Sequence, residues 1–545
     1  MSPTSKNLRD ALTPREELIQ IQKTLFRKNQ KFIEESTLVE NPEFKDYQQR
    51  YLKQVSRFKK IISFESVAQS LKEIDLIYVG DYHTNRQSQK AFLRLLQLLK
   101  STKPNLLIAL ELLHEEHQKA TNQYLNWEIK EESFLKKIKL HKRWYFDLWE
   151  NFKPIFEFAR MKQIPIYGIE AANHQETSLK QRDLACAQKI THLIKQHPDH
   201  CIVVLIGDLH IAAQHLPKEV KSLLKAQNLK KKDALIYQNS EKIYWKLAEI
   251  RREHKTEAVQ IAKHRFCLIN TPPIVWQQSY IDWLEHERKE IDYADAKPTF
   301  LELADQIALF LGIKLPAIKE EVEVYTCGDL SFLETLEEDP AFQPEEIRAV
   351  KRQILSNESY YIPKRKMVYL ASLSLNHAAE EASHFIRHLC AGDEFPRSLA
   401  DAFYANTLHE ALGFLGSKFI NLKRKAPQEK QFLKTVLTTE NKFGKIPLPH
   451  RLEFEIAKGV LEHKTREEQR LLLSSAEVSE QSKLVFFGLT HALGYMLGND
   501  LFEALLAEKF QKRTIKQLFY NPFKQPGEPG RVYLALIQKL SKLGN

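Results

Sequence analysis

Between about residues 60 and 292, short apolar runs alternate with amphipathic stretches. The runs are "IDLIYVGD" (Ile74 to Asp81), "NLLIALE" (Asn105 to Glu111), "IPIYGIE" (Ile164 to Glu170), "CIVVLIGD" (Cys201 to Asp208) and "DALIYQ" (Asp233 to Gln238). They are apolar on both faces instead of alternating, the pattern of strands buried in a parallel sheet. Between them, "QSQKAFLRLLQLLK" (Gln87 to Lys100) and "SLKQRDLACAQKITHLIKQ" (Ser178 to Gln196) repeat their apolar residues at helical spacing. This alternation predicts an α/β domain: a mostly parallel sheet flanked by helices. "FCLINTPPIVWQQSYIDWLEHERKEID" (Phe266 to Asp292), with a Pro-Pro turn and a Trp-rich helix, reads as its closing segment.

Either side of this block the periodicity is helical. Leu18, Ile21, Leu25 and Phe32 space out a polar, charged N-terminal stretch. From Tyr293 onward strand runs largely disappear, and proline and glycine punctuate one helical pattern after another. The predicted organisation is a helical N-terminal extension (1–60), an α/β domain (61–292) and an all-α C-terminal domain (293–545). The last contains a weak echo, "HEALGFLGSKF" (His409 to Phe419) and "THALGYMLGNDLF" (Thr490 to Phe502). Small residues beside Leu and Phe there favour close helix packing.

Length and composition add bounds. At about 150 residues per domain, 545 residues imply two to four domains. The chain is 43% hydrophobic and 28% charged, as in a globular protein. No apolar run reaches the about 18 residues of a membrane span, so none is expected. The opening "MSPTSKNLRDALTPREELIQ" has no apolar signal region or lipobox, which makes a cytoplasmic location the expectation. Five cysteines without a CxxC pair read as buried thiols in a reducing compartment. The net charge of +11 is spread among 70 acidic residues, and the densest run, "KAQNLKKKD" (Lys225 to Asp233), reads as a solvated loop. Nucleic acid is not an expected partner.

Ligands of open α/β sheets bind beyond the carboxyl ends of the strands. Here those ends carry Asp81 and His83, Glu111, Glu170, and Asp208 and His210. Two of them share one phrase, "GDYHTNRQ" (Gly80 to Gln87) and "GDLHIAAQ" (Gly207 to Gln214). A buried carboxylate is costly unless paired, metal-bound or used. Asp81, His83, Glu111, Asp208 and His210 have the donor types for a divalent metal. His83, His210 and Glu111 equally suit acid–base catalysis. There is no Walker A motif, GxGxxG or GxSxG elbow. In the helical half, "NHAAEEASHFIRH" contains Glu381-x-x-His384, one arm of a di-iron bundle motif, but the second arm is absent. A structural or surface role is expected there.

From about Ile62 to His215 the chain resembles the ChaN-like domain of the haem-binding uptake / Tiki superfamily, related to erythromycin esterases. The resemblance is carried by "GDYH", "ALELLHEEHQKATNQYL", the Trp-rich "RWYFDLWENFKPIFEFAR", "IPIYGIE", the pair Arg182 and Asp183, and "GDLH". Asp81 stands where the family often has Glu, and residues after Tyr293 are not covered. The resemblance implies binding of haem or iron, with Tyr82, His83 and His210 as ligand candidates and Arg182 as a helper. Trp144, Tyr145 and Trp149 either line a pocket or fill ordinary core. The alternative it implies is a hydrolase of ester or amide bonds, metal-dependent or His/Glu-based. The expected ligand is haem or another small molecule, and the helical half is open to a protein partner.

Overall fold

The computed structural model describes residues 12–36, 42–139, 149–170, 178–287, 296–326, 329–355, 358–371, 374–392, 395–440 and 448–544. The chain divides into two compact units. One is Phe26–Ile291; the other joins Met1–Leu25 to Asp292–Asn545. The boundary near the N-terminus falls inside the helix Pro14–Ser36.

The first unit is built on an eight-stranded sheet. Its strands are β1 (Lys60–Ile62), β2 (Leu76–Asp81), β3 (Leu106–His114), β4 (Ile166–Glu170), β5 (Cys201–Gly207), β6 (Asp233–Gln238), β7 (Ala258–Ala262) and β8 (Arg265–Leu268). Their order is β1-β7-β8-β6-β2-β5-β3-β4. The run from β8 to β4 is parallel; only β7 and β1 are antiparallel to their neighbours. The sheet is therefore mostly parallel, and all five apolar runs are strands in it.

Every residue of β2 and β3 is buried. Ile77 and Val79 feed one core, with the helices Arg86–Lys100 and Trp149–Met161. Leu76 and Tyr78 feed the other, with Leu179–Gln196, Leu216–Ala226 and Glu241–Glu249. Helices on both faces remove the need for alternation along the strands. Trp149 is core: it is 2% exposed, packs against Tyr124, Phe134 and Phe156, and its indole N–H donates to Glu131 (3.0 Å). Trp144 and Tyr145 lie outside the described residues.

The second unit is helical with one addition, a three-stranded sheet. It comprises β9 (Glu323–Thr326), β10 (Tyr360–Ile362) and β11 (Met367–Leu370), in the order β10-β11-β9. These strands are only three or four residues long, too short for their periodicity to stand out against the flanking helices. The echoed helices do pack closely. A Cβ on Gly494 would lie 2.8 Å from the Thr407 carbonyl oxygen, and one on Gly498 2.5 Å from that of Ala411. Glycine is required where two helix backbones approach this far.

Among the described residues no helix is long and apolar enough to cross a membrane. Cys186, Cys201, Cys267 and Cys390 are free thiols. Cys327 lies outside the described residues.

Candidate functional site

Strands β2 and β5 are parallel neighbours, which sets the two Gly-Asp-x-His segments side by side. They are offset by one residue: Asp81 is opposite Gly207, and Gly80 opposite Ile206. Side chains alternate between faces, so an offset of one sends the two aspartates to opposite faces. On one face, Asp81 takes His83 Nδ1 on Oδ2 (2.7 Å) and Gln89 Nε2 on Oδ1 (2.5 Å). On the other, Asp208 Oδ1 accepts the Gln238 N–H (3.2 Å) and fills the space above Gly80, where a Cβ would lie 1.6 Å from it. Burial pushes the Asp208 carboxyl up to about 7.

Glu111, on β3 beside β5, is the hub. Its Oε2 accepts the Gly207 N–H (2.6 Å) and its Oε1 accepts from Arg182 (2.7 Å), whose guanidinium also reaches Glu170 (3.1 Å). The Nε2 atoms of His83 and His210 approach Glu111 at 3.6 and 3.9 Å. A Cβ on Gly207 would lie 3.4 Å from His210 and 3.8 Å from His83 Nε2, so the glycine sits between the two imidazoles. Behind His210, Nδ1 meets Asp183 Oδ1 at 2.6 Å, and Asp183 Oδ2 accepts from the Tyr47 hydroxyl (3.0 Å).

Burial opposes ionisation of Glu111, but the charges of His83, His210 and Arg182 and the Gly207 N–H hold it well below the usual carboxylate range. Burial likewise opposes the charge on His83. Its bond to Asp81 and the charges of Asp81 and Glu111 prevail, raising it to about 9. The His83 side chain is 28% exposed, against 7% for His210 and 4% for Glu111. The assembly presents one partly exposed imidazole, oriented by a carboxylate, above a charged hub. Such a group can donate to a metal centre or move a proton.

The structure thus brings together Asp81, His83, Glu111, His210, Arg182 and Glu170. It turns Asp208 away, toward Tyr51 and Tyr82, whose phenols are both pushed up by burial and by the Asp208 charge. Tyr82 packs its ring on Trp276 (5.4 Å). The expected five-donor metal set is not assembled: among the described residues no three His, Cys, Asp or Glu side chains could hold a metal ion. Two of the five are occupied otherwise: Asp81 takes the His83 Nδ1 and the Gln89 amide, and Asp208 faces the other way.

The echoed Gln87 and Gln214 are both exposed, and Gln89 is the glutamine that binds Asp81. Sequence reasoning assigned no role to Gln89 or Tyr47, and read Asp183 only as half of an Arg-Asp pair. Asp183 lies one residue beyond Arg182 on the same helix, and that adjacency was the available signal.

The helical unit holds a second polar cluster, on the helices Leu375–Ala391, Leu399–Ile420 and Lys483–Leu506. Glu380 pairs with Arg424 (2.8 Å), which also donates to Tyr495 (2.9 Å); His491 pairs with Glu410 (3.0 Å). His384 Nδ1 lies 3.3 Å from Glu381, and the ring stacks on His409 at 3.9 Å. Glu380, Glu381 and His384 are all buried, whereas His377 and His388 are partly exposed.

The fold is an α/β sheet covered by helices on both faces, with ionisable side chains gathered at one edge. Residues 67–184 match the family described as haem-binding uptake, Tiki superfamily, ChaN. The match spans about a fifth of the chain; it includes Asp81, His83, Glu111, Glu170 and Arg182 and stops before His210. Among solved structures, the chain is similar to one titled "Cofacial heme binding to ChaN of Campylobacter jejuni". Identity is 14%, over 33% of this chain and 88% of that chain, with a TM-score of 0.26. No curated protein matches the chain.

Proposed function

We propose that the sheet-edge unit binds haem, with His83 as the donor to iron. The observation that carries this is the Asp81–His83 pair. Nδ1 is committed to a carboxylate at 2.7 Å, which orients the ring and leaves Nε2 as the donor atom. His83 is also the more exposed of the two imidazoles around Glu111. The family match over residues 67–184 supports the same ligand. Bound haem would supply a redox-active iron. The chain would supply the His83 imidazole that holds it and the Asp81 carboxylate that orients that ring. Haemin titration of the full-length protein tests this. A Soret shift that His83→Ala abolishes is expected; no shift in the wild type, or one that survives His83→Ala, rejects it.

A second reading rests on the two Asp–His pairs flanking Glu111, a layout for acid–base hydrolysis of an ester or amide. His83, raised to about 9 by Asp81 and Glu111, would take the acid role. An ester and amide panel decides the matter. Turnover that withstands loss of both histidines would rule it out.

A further inference from the structure

We infer that Tyr47, on the N-terminal helix Pro42–Gln54, is a positioning residue for the second half of the sheet-edge site. The two Gly-Asp-x-His segments are held by different means. The first is followed directly by its own helix, Arg86–Lys100, whose Gln89 fixes Asp81. The second ends in a single 3-10 turn, Asp208–Ile211, and its own carboxylate is directed elsewhere. His210 therefore borrows Asp183 from the helix Leu179–Gln196, and Tyr47 occupies the other oxygen of that carboxylate.

The helix Pro42–Gln54 engages the surroundings of this turn through two residues, Tyr47 and Gln54. Tyr47 donates to Asp183 (3.0 Å). Its ring stacks on His215 at 3.8 Å and 23°. Gln54 accepts the Ala213 N–H (3.0 Å) as well as the Tyr237 hydroxyl (2.8 Å). Tyr47, Asp183 and His210 are all buried, at 6, 1 and 5% exposure. The result is two matching relays that converge on Glu111: Gln89–Asp81–His83 and Tyr47–Asp183–His210.

A carboxylate held on both oxygens has one orientation to offer its histidine. Tyr47 thus sets where the Nδ1 proton of His210 sits and how Nε2 faces Glu111. Tyr47 and His210 both lie outside the family match at 67–184, whereas Asp183 between them lies inside it.

The inference rests on the sheet edge being the ligand site, but its first test does not require the ligand. In full-length protein labelled with ¹⁵N-histidine, short His–carboxylate bonds give far-downfield imidazole N–H signals. His210→Gln and His83→Gln assign the two of interest. Tyr47→Phe keeps the ring stack and removes only the hydroxyl. It is expected to move the His210 signal and leave the His83 signal in place, while Gln89→Leu does the reverse. Asp183→Asn, as an independent variant, should abolish the His210 signal. An unmoved His210 signal in Tyr47→Phe, or equal movement of both signals, overturns the inference. Wild-type protein that binds no haemin would reject the proposed function, and the N–H signals would still decide the role of Tyr47.

Discussion

Two regions of this molecule gather the same residue types and use them differently. At the sheet edge, strand ends place Glu111, His83 and His210 around a backbone N–H, and Asp81 and Asp183 are each held on both oxygens. In the helical cluster, Glu381 and His384 meet because they are three residues apart on one helix, and His384 Nε2 has no hydrogen-bond partner among the described residues. The sheet edge keeps one imidazole partly open to solvent, whereas the helical cluster buries His384 between helix backbones. Parallel strands end together at one edge, so side chains distant in sequence converge there and remain reachable. Packed helices bring polar groups together along their length; His384 is enclosed there, while the His491 side chain is 52% exposed. Under the proposed function, ligand contact falls to the first region.

The largest expected effect tests the hub. Glu111→Ala leaves Arg182, the Gly207 N–H and a protonated His83 without their shared counter-charge. Breaking such a buried pair costs about 3–5 kcal/mol, to be read from denaturant unfolding; a loss near zero would remove Glu111 from the centre of the comparison.

The glycines come next. A Cβ on Gly413 would lie 2.2 Å from His384 Nε2, so Gly413→Ala overpacks the helical cluster and costs about 1–3 kcal/mol. Gly207→Ala meets neighbours no closer than 3.4 Å and should leave stability almost unchanged while lowering haemin affinity. Equal stability losses in the two variants would erase the distinction between an enclosed and an open cluster.

pH dependence gives a smaller, signed test. Burial opposes the charge on His384, but Glu381, Glu410 and Glu380 raise it to about 9; His83 is likewise raised to about 9. Both exceed the ordinary histidine value of 6.5. A raised pKa contributes stability that is complete below the unfolded value and lost as pH rises through the folded one. Resistance to denaturant should therefore decline between pH 6.5 and 9, and His384→Gln and His83→Gln should each flatten part of that decline. A profile that neither variant alters would contradict the pairing in both regions.

The smallest expected effect is at Trp149. As a core residue, its replacement by Phe should leave haemin affinity unchanged and lower stability by about 1 kcal/mol. A clear drop in haemin affinity would put this ring in the ligand site after all.

Much of the scaffold was legible in the chain. Doubly apolar runs mark β2 to β6, because a sheet covered on both faces needs no alternation. Since ligands gather at strand carboxyl ends, those runs also pointed to Asp81, His83, Glu111, Glu170 and His210. The short strands β9 to β11 were not legible, having too few residues to set a period.

What the sequence by itself determined is which residues stand at the sheet edge. Tertiary structure alone decided what each of them does there. The one-residue offset between β2 and β5 separates Asp81 from Asp208, although the two sit in the same four-residue phrase. The rotation and placement of three helices supply Gln89, Asp183 and Tyr47, from positions as far apart as 47 and 183. Strand register and helix phase follow from packing summed over the whole core, and no local stretch of sequence contains that sum.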